Sequence, residues 1–190
     1  MNECSLVAEA SYPDVSQRAV FLDRDGVINR TMLRKGKPFP PDSLDELAIL
    51  PGVEEAMTTL SAAGFLLVVV TNQPDVARGV QSRPMVDAIH HHLSSKLPIN
   101  EFRTCFHDDA DDCQCRKPRC GALLAAAREH RIDLATSYMV GDRWRDIAAG
   151  EAAGCKTVFV DYGYDELQPE KFDYRVTSLL EASKIILKVN

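Results

Sequence analysis

The sequence lacks any run of about 18 consecutive apolar residues, the length that a helix needs to span a bilayer. Residues 1–14 are polar and show no basic start followed by an apolar stretch, so they do not resemble a secretion signal. We therefore expect a cytoplasmic protein with no membrane partner. Because that compartment is reducing, the 6 cysteines are expected to be thiols or metal ligands rather than disulfides.

Cationic residues are also few: the chain has 22 Lys and Arg residues and 28 Asp and Glu residues, which gives a net charge of -6. A general nucleic-acid binder normally carries a basic face, so this balance disfavours a nucleic-acid partner. It does not exclude a small anionic substrate, because local cations and a metal can set the field inside a cleft. Repeats and low-complexity linkers are absent too. A chain of 190 residues, 45% of them hydrophobic, suits a single domain, 1–190.

Apolar segments rich in β-forming residues alternate with segments of helical spacing. The predicted strands are 18–22, 65–70, 103–106, 137–140 and 157–160. The predicted helices are 51–63, 84–97, 120–130, 144–153 and 178–188. Such alternation predicts an α/β fold with a three-layer, Rossmann-like parallel sheet and helices on both faces.

Polar residues follow three of the predicted strands at the point where each strand ends. Asp23 and Asp25 follow the first strand, Thr71 and Asn72 follow the second, and Asp142 follows strand 137–140. In open parallel sheets, ligands bind beyond the carboxyl ends of the strands. The convergence of three strand ends therefore predicts one site at that edge.

The Asp23-Arg24-Asp25-Gly26 segment has the residue types that phosphoryl transfer needs. A carboxylate can attack phosphorus to form an acyl phosphate, which divides hydrolysis into two easier displacements. A second carboxylic acid two residues on can protonate the leaving oxygen and then deprotonate the water that clears the intermediate. Gly26 lets the chain turn sharply after the pair. The alternative is a pair of turn aspartates that cap the following segment.

Asp142 could join Asp23 in binding Mg²⁺, which favours carboxylates, waters and a phosphate oxygen. The alternative for Asp142 is a helix N-cap. Asp146 is interpreted as a structural acid in the first turn of the next helix, where the helix dipole favours it.

Several groups near these acids could bind a phosphate. Thr71 and Asn72 offer a hydroxyl, an amide and backbone N–H groups, although a Thr-Asn pair is also typical of a turn. Lys117 supplies a point charge for the same phosphate. The planar fork of Arg116 could grip a second phosphate or a sugar hydroxyl.

Cys105, His107, Cys113 and Cys115 form the most specific metal motif in the chain. Three thiolates and one imidazole make a closed tetrahedral site for structural Zn²⁺, with no open catalytic position. The segment 108–112 between the ligands carries four acids, so a metal would pin it and fix Arg116 and Lys117 just beyond. The alternative is a chance cluster of thiols. Cys4, Cys120 and Cys155 show no ligand spacing, and Cys155 is expected in the core.

Two other segments are less specific. The consecutive residues His90, His91 and His92 would face different directions on a helix, so we interpret them as a partly exposed face rather than a metal site. Segment 34–41 combines basic residues with four positions rich in proline and is predicted to be a mobile basic loop. Its place soon after Asp25 leaves substrate contact and a solvated turn as alternatives.

Four ordered motifs resemble those of the haloacid dehalogenase (HAD) superfamily of aspartate-nucleophile phosphatases, over about residues 18–161. They are Asp23-x-Asp25-Gly26, Thr71, Lys117 and Gly141-Asp142-x3-Asp146. Within that span, three segments resemble the D-glycero-D-manno-heptose 1,7-bisphosphate phosphatases and the related histidinol-phosphate phosphatases. These segments are Thr71-Asn72-Gln73, Ala77-Arg78-Gly79 and Cys115-Arg116-Lys117-Pro118.

The resemblance implies a role for each matching residue. Asp23 would be the nucleophile and Asp25 the general acid and base, and Asp23, the Asp25 carbonyl and Asp142 would hold Mg²⁺. Thr71 and Lys117 would steady the transferring phosphoryl group. Substrate contacts are implied for Asn72, Gln73, Arg78, Arg116 and Arg143. The intervals between motifs are short, which implies a capless enzyme whose specificity is set by loops 29–42 and 74–82 and by the zinc-stabilised segment.

Two departures bear on the substrate. Pro74-Asp75-Val76 stands where the heptose enzymes usually have Ser-Gly-Ile/Val, and the five-residue gap in the zinc motif is closer to the histidinol-phosphate enzymes. Those enzymes, however, usually lack Ala77-Arg78-Gly79. We expect a monomeric phosphatase acting on a small phosphorylated metabolite, foremost the 7-phosphate of D-glycero-D-manno-heptose 1,7-bisphosphate. Histidinol phosphate, a nucleic-acid 3'-phosphate and a catalytically silent binding domain are the alternatives.

Overall fold

The computed structural model describes residues 16–34 and 36–189. A strand of four buried apolar residues lies at the centre of its main sheet. The strands in this part of the chain are β1 (Ala19–Leu22), β2 (Met32–Arg34), β3 (Lys37–Phe39), β4 (Leu66–Asn72), β5 (Glu101–Cys105), β6 (Tyr138–Gly141), β7 (Lys156–Val160) and β8 (Tyr174–Val176). Six of them form one parallel sheet in the order β5-β4-β1-β6-β7-β8. The described helices are α1 (Val53–Ala62), α2 (Arg83–Ser94), α3 (Gly121–His130), α4 (Trp144–Ala153) and α5 (Leu179–Val189).

Alternate residues of β1 face opposite sides of the sheet, and each side is covered by helices. Val20 and Leu22 belong to a hydrophobic cluster with buried residues of α1, α2 and α5. Ala19 and Phe21 belong to a second cluster with buried residues of α3 and α4. The predicted α/β class and the three layers are therefore confirmed.

The register of the sheet aligns the ends of its central strands. Leu22 pairs with Val69 of β4 on one side and with Val140 of β6 on the other. Asp23, Thr71 and Asp142, which follow these positions, consequently emerge at nearly the same level of the carboxyl edge. The sheet register thus brings together residues that lie far apart in sequence.

Segment 34–41 differs from its sequence-based prediction as a mobile loop. Residues 34 and 36–39 belong to an antiparallel hairpin of β2 and β3, in which Met32 pairs with Phe39, whereas 40–41 lie beyond its second strand. Gly36 has a φ of +75° in the turn, a conformation that glycine adopts without strain. Pro38 is tolerated because a two-stranded hairpin has edges on both sides. Lys35 lies outside the described residues, as do Cys4 and the polar segment 1–14.

The intervals between the motifs hold no additional folded unit among the described residues. Between β1 and β4 lie the β2–β3 hairpin and α1, and between β4 and Lys117 lie α2, β5 and a 3-10 turn at Asp109–Asp111. The chain is therefore capless, as expected. No helix within 16–34 and 36–189 is both long and apolar enough to cross a membrane.

Two expectations about individual residue types can be compared with the structure. The cysteines in the described part of the chain are free thiols, and Cys155 is buried in the cluster on the α3 and α4 side. His91 is exposed and His92 is half-buried, in line with the expected helix face. His90, in contrast, is buried, because the helical period places it with Ile89 and Leu93 toward the sheet.

Candidate active site

A cleft of about 280 Å³ opens at the carboxyl edge of the sheet. Eight residues singled out from the sequence line it: Asp23, Asp25, Thr71, Asn72, Arg78, Arg116, Lys117 and Arg143. They come from the end of β1, the end of β4, the loop after β4, residues 105–118 (the zinc segment) and the start of α4. The predicted strand-end convergence therefore occurs, and these five parts of the chain contribute to one cavity.

Lys117 is the buried cation at the bottom of the cleft. Its Nζ donates to Asp23 Oδ1 at 2.7 Å and to the Val70 carbonyl at 2.6 Å, and it lies 2.7 Å from Asp146 Oδ1. Burial opposes the Lys117 charge, but Asp146 and Asp23 outweigh it and raise the Lys117 pKa. Burial also raises the pKa of Asp23 to about 7, against the lowering effect of Lys117.

Asp25 is held by three neighbouring donors. Arg24 Nη2 donates to Asp25 Oδ2 at 2.9 Å, and Asn29 Nδ2 donates to Asp25 Oδ1 at 2.9 Å. Gln73 Nε2 donates to Asp25 Oδ2, also at 2.9 Å. Burial alone would raise the Asp25 pKa, but Arg24 and these hydrogen bonds together lower it. Asp25 thus rests as a carboxylate in a fixed orientation.

Gln73 is buried and does not line the cleft, although substrate contact was expected for it. Its amide nitrogen also donates to Thr71 Oγ1 at 2.8 Å. Since this contact uses the Thr71 oxygen as an acceptor, the Thr71 hydroxyl hydrogen remains able to point to another acceptor. Asn72 is likewise engaged, because its side chain accepts from Lys117 N at 3.1 Å and donates to Lys117 O at 3.0 Å.

Asp142 carries the clearest indication of a cation-binding site. Neither of its carboxylate oxygens has a hydrogen-bond partner among the described residues, although both are buried. The nearby Tyr164 hydroxyl pairs with Thr31 Oγ1 at 3.1 Å, and its interaction with Asp142 lowers the Asp142 pKa by less than burial and the neighbouring acids raise it. Burial, followed by repulsion from Asp23 and Asp146, raises the Asp142 pKa.

The donor set around Asp142 fits a hard divalent cation. Asp23, Asp142 and Asp146 each offer a carboxylate oxygen, and these oxygens lie within 4.8 Å of one another. Gly26, with a φ of +90°, packs so closely that an added Cβ would lie 1.9 Å from Asp142 Oδ2. Unpaired, buried carboxylate oxygens beside an anionic nucleophile are the ligands that Mg²⁺ favours.

Asp146 makes contacts of the kind expected of a structural acid. One oxygen lies against Lys117 Nζ, and the other accepts from Arg143 N at 3.0 Å. It therefore joins the zinc segment to the start of α4. The side chain of Arg143 itself turns to Glu166, to which its Nε donates at 2.8 Å.

The four predicted zinc ligands come together beside the cleft. The Sγ–Sγ separations are 3.6 Å for Cys105–Cys113, 3.3 Å for Cys105–Cys115 and 3.5 Å for Cys113–Cys115. His107 Nδ1 lies 3.7 Å from Cys105 Sγ and 3.4 Å from Cys115 Sγ. Zinc–sulfur bonds of about 2.3 Å give a tetrahedron with edges of about 3.8 Å, close to these distances. The cluster fits a structural Zn²⁺ ion.

Arginines at the mouth of the cleft pair with acids of the zinc segment. Arg78 Nε donates to Asp108 Oδ2 at 2.7 Å. Asp109 Oδ1 accepts from Arg116 Nε at 2.8 Å and from Arg145 Nη1 at 3.0 Å. Arg145 was not singled out from the sequence. Its position in the first turn of a helix that follows a strand end is the signal that could have identified it.

Comparisons with known proteins agree with this site. Residues 114–182 match the HAD-hydrolase-like family model. The chain is 34% identical over 184 residues to the D-glycero-beta-D-manno-heptose-1,7-bisphosphate 7-phosphatase of Pasteurella multocida, covering 90% of this chain and 97% of that one. The corresponding enzyme of Bordetella bronchiseptica is 35% identical over 151 residues, covering 77% of this chain and 82% of the relative.

A solved structure of a heptose bisphosphate phosphatase is also similar to this chain. The D,D-heptose 1,7-bisphosphate phosphatase of B. bronchiseptica, complexed with magnesium and phosphate, superposes with a TM-score of 0.78 and 30% identity, covering 92% of this chain and 100% of that one. The fold and the carboxylate cleft define a HAD-type phosphatase without a cap. More narrowly, the chain belongs to the D-glycero-D-manno-heptose-1,7-bisphosphate 7-phosphatase family.

Proposed function

We propose that the protein hydrolyses the 7-phosphate of D-glycero-D-manno-heptose 1,7-bisphosphate through a phosphoaspartate formed on Asp23. The observation that carries the proposal is the shared cleft of Asp23, Asp25, Thr71 and Lys117 in a chain whose curated relatives are heptose bisphosphate phosphatases. We further propose that the chain acts as a single domain and a monomer in the cytoplasm.

In the first step, an Asp23 carboxylate oxygen attacks phosphorus and the bond from phosphorus to the sugar oxygen breaks. Asp25, which rests as a carboxylate, takes up a proton when the anionic substrate binds beside it and gives this proton to the departing oxygen, so the sugar leaves as an alcohol. In the second step, Asp25 takes a proton from water, and the resulting hydroxide attacks the phosphorus of the phosphoaspartate. This attack frees phosphate and regenerates Asp23 as a carboxylate.

The surrounding residues would hold the phosphoryl group while this happens. Lys117 provides a buried positive charge beside Asp23, and the Thr71 hydroxyl is free to donate to a phosphate oxygen. Asp23, the Asp25 carbonyl and Asp142 would hold Mg²⁺. Bound Mg²⁺ would screen the repulsion between the anionic nucleophile and the anionic substrate.

The cations at the cleft mouth support a substrate with a second anionic group. Arg78, Arg116 and Arg145 line the cavity, and their present partners are the half-exposed acids Asp108 and Asp109. A phosphate can replace such exposed carboxylates, because arginine binds phosphate through two parallel hydrogen bonds. Histidinol phosphate carries one phosphate and an ammonium group, so it would leave these arginines without a suitable partner.

A kinetic panel tests the substrate assignment. It compares kcat/KM, by phosphate release, for both anomers of heptose 1,7-bisphosphate, heptose 7-phosphate, histidinol phosphate and a 3'-phosphorylated oligonucleotide. We expect a bisphosphate anomer to exceed heptose 7-phosphate by about tenfold to a hundredfold, the range expected for added charge-assisted hydrogen bonds. Equal or higher kcat/KM for histidinol phosphate or for the oligonucleotide would refute the assignment.

Asp23→Asn tests the nucleophile. Turnover should be lost, whereas the melting temperature should change little, because burial already disfavours the Asp23 charge in the metal-free fold. Asp87→Asn on the exposed surface of α2 is the matched control and should retain full activity. Residual turnover by the Asp23 variant close to that of the control would remove Asp23 from the mechanism.

A further inference from the structure

A buried chain of contacts leads from β5 to Asp25. The ring of His90 stacks on Phe102 with centroids 4.1 Å apart and an interplanar angle of 16°. His90 Nε2 lies 3.2 Å from Arg24 Nη1. The other nitrogens of the same guanidinium reach Asp25, with Arg24 Nε 3.2 Å from Oδ1 and Nη2 2.9 Å from Oδ2.

The protonation state of His90 follows from its partner. An arginine side chain has donors and no acceptor, so Nε2 of His90 must accept and its ring proton must lie on Nδ1. Burial, together with the Arg24 charge, lowers the His90 pKa to about 4, which keeps the ring neutral at neutral pH. His90 therefore supplies a fixed lone pair rather than a second positive charge.

Arg24 needs this lone pair because its side chain is fully buried. All its side-chain nitrogens have partners, and among the described residues His90 Nε2 is the acceptor that meets Nη1. A guanidinium is planar and rigid, so fixing Nη1 also fixes the plane in which Nε and Nη2 meet the Asp25 carboxylate. Without an acceptor at His90, the buried Nη1 would gain a partner only if the whole plane rotated.

We infer that His90 is a positioning residue for phosphoryl transfer, acting through Arg24 to hold the Asp25 carboxyl group in line with the leaving oxygen. The inference rests on the proposed function, in which Asp25 is the general acid and base. Phe102, on the edge strand β5, fixes the His90 ring by stacking on it. His90 does not contact substrate in this role, since it does not line the cleft.

The role predicts a specific kinetic signature. A sugar alkoxide is a poor leaving group and needs the Asp25 proton as the bond to phosphorus breaks, whereas p-nitrophenolate leaves without protonation. Because kcat/KM includes the steps up to this bond cleavage, a misplaced Asp25 should lower kcat/KM for the sugar phosphate more than for p-nitrophenyl phosphate. A general loss of folded protein would lower both equally.

The experiment compares His90→Phe, which keeps a stacking ring and removes the acceptor, with His90→Gln, which offers an amide acceptor. For His90→Phe we expect the ratio of kcat/KM for heptose 1,7-bisphosphate to that for p-nitrophenyl phosphate to fall about tenfold, part of the 10²–10⁴ that a general acid contributes. His90→Gln should recover much of the ratio. His91→Gln, at the exposed neighbouring position, should leave the ratio unchanged.

Two further variants keep the result interpretable. If His90→Phe is not obtained folded, Arg24→Lys tests the same contact, because a compact ammonium lacks the planar fork that spans His90 and the Asp25 carboxylate, and its ratio should also fall. Asp25→Asn measures the full loss of the acid. An unchanged ratio in His90→Phe or Arg24→Lys, beside a reduced ratio in Asp25→Asn, overturns the positioning role alone. An unchanged ratio in Asp25→Asn overturns both the inference and the proposed acid.

Discussion

At the residue scale, Gly26 is the position where the site tolerates least change. Its φ of +90° is a left-handed conformation, and its Cα faces Asp142 so closely that any side chain would occupy the space of the carboxylate. Gly26→Ala should therefore displace Asp142, abolish Mg²⁺-dependent turnover and cost about 2–4 kcal/mol of stability, in the range of severe single substitutions. Activity assays and denaturant unfolding measure both effects.

Gly79→Ala is the matched control for Gly26→Ala. Gly79 also has a positive φ, of +70°, but nothing lies within 4 Å of its missing Cβ. Gly79→Ala should lower the free energy of unfolding by about 1–2 kcal/mol, the cost of a left-handed backbone for alanine, and should leave the Mg²⁺ affinity unchanged. Equal losses of activity in the two variants would show that steric displacement of Asp142 is not the cause.

The depressed pKa of His90 predicts a pH dependence of folding stability. The unfolded chain binds a proton near pH 6.5 and the folded chain only near pH 4, so protons favour unfolding between these values. Stability from this residue is complete above pH 6.5 and is lost as the pH falls toward 4. Between pH 7 and pH 5 the loss should be about 2 kcal/mol by the linkage relation.

The measurement is the free energy of unfolding of the wild type and of His90→Gln at pH 7 and pH 5. Between pH 7 and pH 5, the free energy of unfolding should fall by about 2 kcal/mol more in the wild type than in the variant. Parallel pH profiles for the two proteins would contradict a buried, neutral His90. Groups that do not interact with His90 titrate alike in both proteins, so their contributions cancel in the difference.

Sequence spacing could predict which acids meet but not how each side chain is used. Asp23, Thr71 and Asp142 were found because strand ends of a parallel sheet share one edge. Gln73 was expected to meet substrate, yet it turns inward to Asp25 and Thr71. Neither this direction nor the pairing of His90 with Arg24 can be read from spacing, because both depend on neighbours brought by other elements.

At the scale of elements, the zinc segment links the metal cluster to the cleft. Cys115 is followed directly by Arg116 and Lys117, and the acids Asp108 and Asp109 are paired with arginines of other segments. Few apolar side chains in segment 107–116 are buried, so metal binding must contribute much of its order. The position of Lys117 beside Asp23 consequently depends on a cluster that takes no part in the chemistry.

Cys113→Ser tests this dependence. The variant should lose bound zinc, melt at a lower temperature and lose activity, because the free energy of metal binding contributes to folding. Zinc content by mass spectrometry, thermal unfolding and phosphate release measure the three effects. Cys120→Ser, which changes a thiol outside the cluster, should behave as the wild type. Full zinc content in the Cys113 variant would count against the site.

The elements that sequence reasoning identified best are those buried on one or both faces. Helix 144–153 was predicted with its observed bounds, and the strands that precede each motif were found within a few residues. The β2–β3 hairpin and β8 were missed. Both consist of three-residue strands, which are too short for an alternating pattern to be distinguished from a loop.

At the scale of the whole molecule, the site concentrates more negative charge than its buried cations balance. Asp23, Asp142 and Asp146 lie together, but the Lys117 amine contacts only Asp23 and Asp146 among these three acids. Burial raises the pKa of Asp23 to about 7 and that of Asp142 well above its usual value. A carboxyl with a raised folded pKa stabilises the fold at low pH, and this contribution is lost as the pH rises through the folded pKa. Mg²⁺ should offset that loss.

We therefore expect added Mg²⁺ to raise the melting temperature more at pH 7.5 than at pH 5. The comparison uses metal-free buffer rather than a chelator, since a chelator would also remove zinc. Asp142→Asn should lose most of the Mg²⁺-dependent increase at pH 7.5. An increase of the same size at both pH values, or one retained in the Asp142 variant, would place the stabilising ion elsewhere.

The order of strands in the sheet also has a consequence for biosynthesis. β1, the first strand in the described part of the chain, is bordered in the finished sheet by β4 and by β6, and β6 is made more than a hundred residues later. Until then, one edge of the central strand lacks its permanent neighbour and the nucleophile lacks its metal ligand. We therefore expect a nascent or prematurely terminated chain that stops before β6 to be inert toward phosphate esters, although its nucleophile has already been made.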